Sequence, residues 1–189
     1  HFYYDKRTKK LYIASSDLHP PDSHRYTVSV LKGRAGLFLQ RPTRVAVDGL
    51  AATGFHNNAP MSRLPRGNSA SDRSTWGIFL AHADRCVVRN ATAYLNSGGI
   101  AMRSHPDLAE AGRNLIEQCT AYGNRPRHGI IIYRPNRDEI RDSLSFRNAV
   151  SGIQFYIGGG DESRMSQNLA WGNGSFDILM MEIDEDGNL

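Results

Sequence analysis

The sequence predicts an all-β fold, a single-stranded right-handed parallel β-helix of about five to seven coils. Three observations favour this fold. One strand-and-turn pattern occurs four times between residues 87 and 181. Its strands are apolar and β-branched, and its turns contain Gly and Asn rather than helix-forming residues. Successive copies begin about 25 residues apart, which is a typical length for one coil of a solenoid.

Each copy contains an aromatic residue and, two positions later, an asparagine, followed by a turn and another strand. The aromatic residues are Tyr94, Tyr122, Phe146 and Trp171, and the asparagines are Asn96, Asn124, Asn148 and Asn173. Equivalent positions in successive coils lie about 4.8 Å apart. We therefore expect the asparagines to form an amide ladder inside a turn and the aromatic rings to form an internal stack, both structural in role.

The other elements follow in chain order within one predicted domain, residues 1–189. Residues 1–44 are predicted to form a hairpin, FYYD against LYIA, and an irregular coil, and residues 45–181 the regular coils. The hairpin is expected to cap the stack, because an open end leaves strand edges unpaired. Residues 56–75 are predicted to be an inserted polar loop, either a binding wall or a structureless excursion. Because the chain begins at a His, we expect it to be part of a longer protein.

Composition and charge limit the class of protein. The chain is 40% hydrophobic and 22% charged, and no apolar run is long enough to predict a membrane span. The net charge is +4, and all but four of the 23 basic residues are arginine. Arginine suits carboxylate or sulfate partners, although GC-rich codon usage gives the same bias. Because the sequence shows no stripe of cations, no nucleic-acid partner is predicted.

Two smaller predictions test the alignment of the copies. Arg89, Glu117 and Arg141 occupy one column and alternate in sign, so they should form a charge ladder on an outer face. Cys86 and Cys119 fall in different columns, with Cys86 aligned near Asn114 instead. We therefore predict two free thiols and no disulfide.

Alternation along the Gly-Ile strands predicts a binding face. Alternate residues, from Ile78 and Leu80 to Ile178 and Met180, should point into the coil. The opposite face then carries one row across five coils: Ala81, Arg103, Tyr133, Tyr156 and Met181. Tyr presents an apolar plane to a sugar ring, and Arg binds a uronate or sulfate. The row is predicted to form an open sugar-binding groove, and a merely amphipathic sheet surface is the alternative.

Titratable residues at the strand ends complete the candidate site. Catalysis is assigned to His128, Tyr133, Arg134 and Asp138, and substrate binding to Arg103, His105, Arg137 and Tyr156. A lyase or epimerase needs a base and a cation beside a uronate, and the near-neutral pKa of histidine suits proton transfer. A hydrolase needs two carboxylates about 5 to 10 Å apart. No metal ligand set is recognised, so no cofactor is predicted, with calcium left open.

The coil pattern resembles the right-handed β-helix carbohydrate-active proteins, which include polysaccharide lyases, glycoside hydrolases and mannuronan C5-epimerases. HGIII, followed by Tyr133 and Arg134, is similar to a strand of the periplasmic epimerases, and the resemblance would make His128 the proton-transfer residue. FYYD, LYI and VDGL look like segments that precede the first coils of β-helix glycosidases and lyases. This resemblance implies a secreted, periplasmic or cell-surface protein.

The sequence therefore favours a polysaccharide-active enzyme, a lyase or glycoside hydrolase, whose partner is a polysaccharide or oligosaccharide of possibly acidic character. The first alternative is a non-catalytic glycan-binding or structural module of a larger surface protein. The second is a mannuronan C5-epimerase-like enzyme. The sugar, its linkage and the oligomeric state stay open.

Overall fold

A computed structural model describes residues 2–5, 10–13, 35–55, 75–104, 112–156 and 162–180. The chain divides into two units, residues 1–31 and residues 32–189. The predicted inserted loop, except Thr75, and His105 lie outside the described residues. A helix with the length and hydropathy needed to cross a bilayer is absent from the described ranges.

The first unit contains a two-stranded antiparallel hairpin. Strand β1 (Phe2–Asp5) pairs with β2 (Lys10–Ile13), with Phe2 opposite Ile13 and Asp5 opposite Lys10. The predicted hairpin is confirmed. Its capping role stays a prediction.

The second unit consists of three parallel sheets. Sheet A contains β4 (Ala46–Asp48), β7 (Val87–Arg89), β10 (Leu115–Glu117), β13 (Glu139–Arg141) and β16 (Arg164–Ser166). Sheet B contains β5 (Ala51–Thr53), β8 (Thr92–Tyr94), β11 (Thr120–Tyr122), β14 (Leu144–Phe146) and β17 (Leu169–Trp171). Sheet C contains β3 (Ala35–Gln40), β6 (Trp76–Ala83), β9 (Gly98–Ser104), β12 (Ile130–Tyr133), β15 (Ser151–Tyr156) and β18 (Phe176–Met180).

The chain passes through sheets C, A and B in turn, so each passage is one coil. The described strands make five complete coils and the first strand of a sixth. Every neighbouring pair within these three sheets is parallel. The predicted all-β parallel β-helix is confirmed.

The interior is filled by aligned columns of apolar side chains. In sheets A and B, the middle residue of each three-residue strand points inward, such as Ile116 and Ala121. In sheet C, the inward residues are longer, and the Ile78–Ile100–Ile130–Ile153 column is fully buried. Burying whole isoleucine side chains contributes roughly 2 kcal/mol each. The coil stack is therefore held together mainly by this core.

Glycine is required where sheet C approaches the corner that follows sheet B. A Cβ on Gly99 would collide with the carbonyl oxygen of Gly129, and a Cβ on Gly129 would collide with Ser145 Oγ. The Gly-Ile motif of the strands thus reflects close approach of the backbones, which a larger residue would prevent.

The predicted asparagine ladder is confirmed at this corner. The backbone N–H of Asn96 donates to Asn124 Oδ1 (3.1 Å), Asn124 to Asn148 (3.1 Å), and Asn148 to Asn173 (3.0 Å). Each Nδ2 also donates to a carbonyl of the preceding coil, for example Asn124 to Ala93 O at 3.1 Å. The ladder satisfies buried backbone groups that no strand pairs.

The aromatic rings stack as predicted, but on the outside of sheet B. Successive ring centroids in the column from Tyr94 to Trp171 are 5.0, 5.0 and 4.5 Å apart, with nearly parallel planes. The expectation of an internal stack is wrong. Each ring sits one residue after an inward side chain such as Ala93 or Ala121, so alternation turns it outward.

The charge ladder and the thiols agree with the predicted register. Glu117 lies between Arg89 and Arg141 in sheet A, and Arg141 Nη2 is 2.7 Å from Glu117 Oε2. Arg89 instead pairs with Asp48 at 2.9 Å, which extends the alternation by one coil. Cys86 and Cys119 are both free and buried, as predicted.

Candidate functional site

The predicted row lies in register at the end of sheet C. Ala81 pairs with Arg103, Arg103 with Tyr133, and Tyr133 with Tyr156. We call Arg103, Tyr133 and Tyr156 the tyrosine–arginine row. Neighbouring members belong to successive coils and are therefore about 4.8 Å apart along the stack. Met181 lies outside the described residues.

The face that carries this row is less open than predicted. A second hydrophobic cluster, which includes Trp76, Phe79 and Ile131, lies on this side of sheet C. Trp76 and Phe79 are fully buried, Ala81 is 1% exposed, and the three members of the row are half-buried. The expectation of an open groove along the whole row is therefore corrected. A half-buried site at the strand ends replaces it.

Tyr133 is the centre of this site. Its ring meets Tyr156 edge to face at 5.7 Å and Trp76 at 6.3 Å between centroids. The side chain of Arg127 forms a hydrogen bond with its hydroxyl, and the charge of Arg103 also acts on it. Burial nevertheless raises the pKa of Tyr133 to about 12, because a phenolate would lose its hydration. The hydroxyl is therefore protonated at neutral pH.

His128 lies on the turn before β12, and its imidazole bonds to the next coil. Its Nδ1 is 2.8 Å from Ser151 Oγ, and Ser151 in turn donates to Gln154 Oε1 at 2.7 Å. Burial, aided by the charge of Arg127, lowers the pKa of His128 to about 4. The expectation of a near-neutral pKa is therefore wrong for the folded protein, in which burial keeps the imidazole neutral well below pH 6.

Asp138 belongs to the interior and not to a solvated turn. Its carboxylate accepts hydrogen bonds from Ser104 Oγ (2.5 Å), from the backbone and Nδ2 of Asn114 (2.8 and 2.9 Å) and from the backbone of Asn136 (2.9 Å). Burial raises the pKa of Asp138 despite these donors. Asn114 in turn accepts from the backbone of Cys86 at 3.0 Å, so Asp138 extends a second corner ladder.

Arg134 and Arg137 lie on the turn that follows β12. The backbone N–H of the half-buried Arg134 donates to the carbonyl of Tyr156 at 2.9 Å. Arg137 is exposed and lies 3.6 Å from Glu162. The described part of the structure thus brings Arg103, Tyr133, Tyr156 and Arg134 to one end of sheet C, and leaves Asp138 inside.

A comparison with protein-family models agrees with this architecture. The model described as "Right handed beta helix region" matches residues 28–182, which is most of the chain. The chain belongs to the right-handed β-helix family. No curated protein and no solved structure matches it. Right-handed β-helix domains occur in polysaccharide-active enzymes and in other proteins, so membership defines the fold and leaves the reaction open.

Arg127 is the member of this β-helix site that the sequence analysis missed. It is 8% exposed and contacts the central tyrosine, yet it precedes β12 by three residues and belongs to no repeated column. The basic RPRHG segment before the strand was the available signal. The role of Arg127 depends on the contact that its long side chain makes with Tyr133, which strand alternation does not predict.

The described His, Cys, Asp and Glu side chains were compared with the ligand sets of metal sites. No group of three or more His, Cys, Asp or Glu side chains able to hold a metal ion occurs among the residues that the structure describes.

Proposed function

We propose that this right-handed β-helix protein recognises an acidic polysaccharide at the tyrosine–arginine row. The observation that carries the proposal is the arrangement around Tyr133. Two guanidinium groups, those of Arg103 and Arg127, act on its hydroxyl, and the Tyr156 ring lies against it. Cations beside an aromatic ring form a site for a sugar that bears a carboxylate or sulfate.

Half-burial strengthens this chemistry. A guanidinium group binds a carboxylate through two parallel hydrogen bonds, and the attraction is larger where water is partly excluded. Because the Tyr133 and Tyr156 rings meet edge to face, they cannot both lie flat against one sugar ring. Tyr156 therefore supplies the apolar surface, and Tyr133 supplies a hydroxyl that is bonded to Arg127.

The aromatic stack on sheet B is a weaker candidate for the same ligand. Its rings lie parallel at 4.5 to 5.0 Å, so each inner ring covers the faces of its neighbours and shows only an edge. Sugars bind to ring faces rather than edges. This comparison favours sheet C.

Cleavage by β-elimination is a second candidate, which Tyr133 favours. In this reaction a cation neutralises the uronate carboxylate, the neutral His128 imidazole accepts the neighbouring proton, and the glycosidic oxygen leaves with a proton from Tyr133. A Tyr133 hydroxyl that is protonated at neutral pH is suited to donate that last proton. Such substrates agree with a secreted, periplasmic or cell-surface location, which we also propose.

Binding is tested by calorimetry with uronate-containing and neutral oligosaccharides. Tyr156→Ala and Arg103→Gln should each weaken uronate binding by roughly 1 to 2 kcal/mol, about tenfold in Kd, because each removes a direct contact. Tyr94→Ala is the matched control, since Tyr94 is also half-buried but lies on sheet B. Unchanged binding in both sheet C variants, or equal affinity for neutral sugars, would contradict the proposal.

Turnover is measured separately, by ultraviolet absorbance for unsaturated ends and by release of reducing ends. Elimination predicts that Tyr133→Phe and His128→Ala each keep binding but lose turnover, because they remove the proton donor and the proton acceptor. If the parent binds uronates and releases neither product, the protein is a binding module and the second candidate is wrong.

A further inference from the structure

An arginine column runs along the corner between sheets C and A. Arg44, Arg85, Arg113 and Arg137 each precede a sheet A strand by two residues, and these strands are aligned without a register shift. The backbone N–H groups of the first three donate to carbonyl oxygens of the next coil, at 2.9, 2.7 and 3.0 Å. The column therefore spans three coil steps, about 14 Å along the stack.

The backbone conformation does not explain why arginine occupies this column. All four residues are left-handed, with φ between 52° and 56°, which costs a residue with a Cβ roughly 1 kcal/mol. The other two corners have the same conformation but use mixed residue types. Those corners contain Gly49, Asn90, Gln118, Asp142 and Gln167, and Gly54, Leu95, Gly123, Arg147 and Gly172. The repeated arginine thus points to a role for its side chain.

The column carries an excess of positive charge. Arg137 is the member with an ion pair, to Glu162, which occupies the same corner position in the fifth coil. Among the described residues, no carboxylate lies within ion-pair distance of Arg44, Arg85 or Arg113. Arg85 also has a buried Nε without a described hydrogen-bond partner. Asp84 partly offsets this charge, and its Oδ1 accepts from the Gly112 backbone at 3.3 Å.

We propose that this column binds consecutive anionic groups of one linear acidic glycan, a polyuronate or sulfated chain, that extends from the tyrosine–arginine row. This inference rests on the proposed function and adds an extended subsite to it. Each guanidinium fork can hold one carboxylate or sulfate bidentately. The column runs beside the row, because Tyr133 and Arg137 are four residues apart on the same strand-and-turn segment.

A straight glycan suits this corner better than a nucleic acid. The arginines repeat at one constant spacing along one line, whereas phosphates of a duplex wind around a helix and those of a single strand accompany bases that need stacking platforms. Such platforms would have to be aromatic ring faces, and the column itself contains only arginine and Glu162. The sequence shows no stripe of cations because these arginines are 24 to 41 residues apart in the chain.

The test measures affinity against ligand length and salt. A uronate disaccharide and a uronate octasaccharide are titrated at several salt concentrations into the parent, Arg113→Gln and Arg44→Gln. Each variant should weaken octasaccharide binding by roughly three- to tenfold and reduce the slope of log affinity against log salt by about 0.5 to 1. Disaccharide binding should be unchanged. Arg147→Gln, also exposed and left-handed (φ 54°) but at another corner, should behave like the parent.

The outcomes separate this inference from the proposed function. If octasaccharide affinity and salt slope are the same in both variants and in the parent, while the disaccharide still binds, the column is not a subsite. If neither uronate binds to the folded parent, the proposed function fails. If single-stranded DNA of equal charge binds as tightly as the octasaccharide and loses affinity equally in Arg113→Gln, the glycan assignment is wrong. Thermal unfolding of each variant confirms that it is folded.

Discussion

Burial decides the chemistry of the single side chains at this site. Burial raises the pKa of Tyr133 and of Asp138 and lowers the pKa of His128. Catalysis was assigned to these residues from their types, from their positions on or beside the strand Ile130–Tyr133 and, for His128, from a family resemblance. Desolvation explains why these pKa values differ from those of exposed residues, because removal from water disfavours a charged imidazole, phenolate or carboxylate.

His128 gives the residue-scale prediction, a pH dependence of stability. Its pKa is about 4 in the folded protein and 6.5 when exposed, so the unfolded chain binds the proton more readily. The free energy of unfolding is therefore highest above pH 6.5 and falls as the pH decreases toward 4. The loss amounts to about 3 kcal/mol. Urea unfolding of the parent and of His128→Gln should show the parent losing this amount relative to the variant between pH 7 and pH 4.

Titration of the carboxylates affects both proteins equally, so it cancels in the difference between their unfolding free energies. Glutamine can still bond to Ser151 but does not titrate. A difference in unfolding free energy that stays constant from pH 7 to pH 4 would contradict the assigned burial of the imidazole.

The corners are the elements on which the coil stack depends. A strand of three residues leaves many backbone groups at its ends without strand partners, and the ladders at the corners supply those partners. The Asn96–Asn124–Asn148–Asn173 ladder ends at Asp177, which accepts from the Asn173 backbone at 3.1 Å. The Asn114–Asp138 ladder serves the corner beside the arginine column in the same way.

Asn124→Ala is the element-scale prediction. The change removes the acceptor for the Asn96 backbone N–H and the donor to Ala93 O, both buried. Leaving these groups unsatisfied should cost roughly 2 to 4 kcal/mol in the free energy of unfolding. Asn173→Ala, at the less buried end of the ladder, should cost less because water can replace its bonds. Chemical denaturation measures both, and equal losses would show that ladder position does not matter.

The elements were predictable from sequence because the coil repeats its pattern. The asparagines, the charge ladder and the Gly-Ile strands all depend on one alignment, and an error in that alignment would have misplaced them together. The aromatic rings were wrongly predicted to lie inside. Their spacing shows that they form one column, but it does not show which face of a three-residue strand they occupy. Asp138 was misplaced because a single aspartate within a column of different polar residues does not resemble a ladder.

Stacking of the coils brings together site residues that are far apart in the sequence. Residues that are neighbours across coils, such as Arg85 and Arg113, are 28 positions apart in the chain. Their common direction depends on a left-handed turn that each coil repeats. The row was predictable from strand alternation, whereas the arginine column, Arg127 and the burial of the face follow only from the folded stack.

The solenoid as a whole presents one cationic corner beside one aromatic strand end. A ligand that uses both would contact sheet C through Arg103 and Tyr156, cross from there to the corner, and follow the corner along the stack axis past Arg113 and Arg85. This orientation is the central claim about function, because it joins the two proposed contact regions on one chain of sugars.

A crystal structure of the protein with a bound uronate octasaccharide tests that claim most directly. The account predicts a sugar carboxylate within hydrogen-bond distance of the Arg103 guanidinium, a sugar ring against Tyr156, and further carboxylates opposite the arginine column. A saccharide bound instead against the sheet B aromatic stack at Trp171, which is 42% exposed, would contradict it.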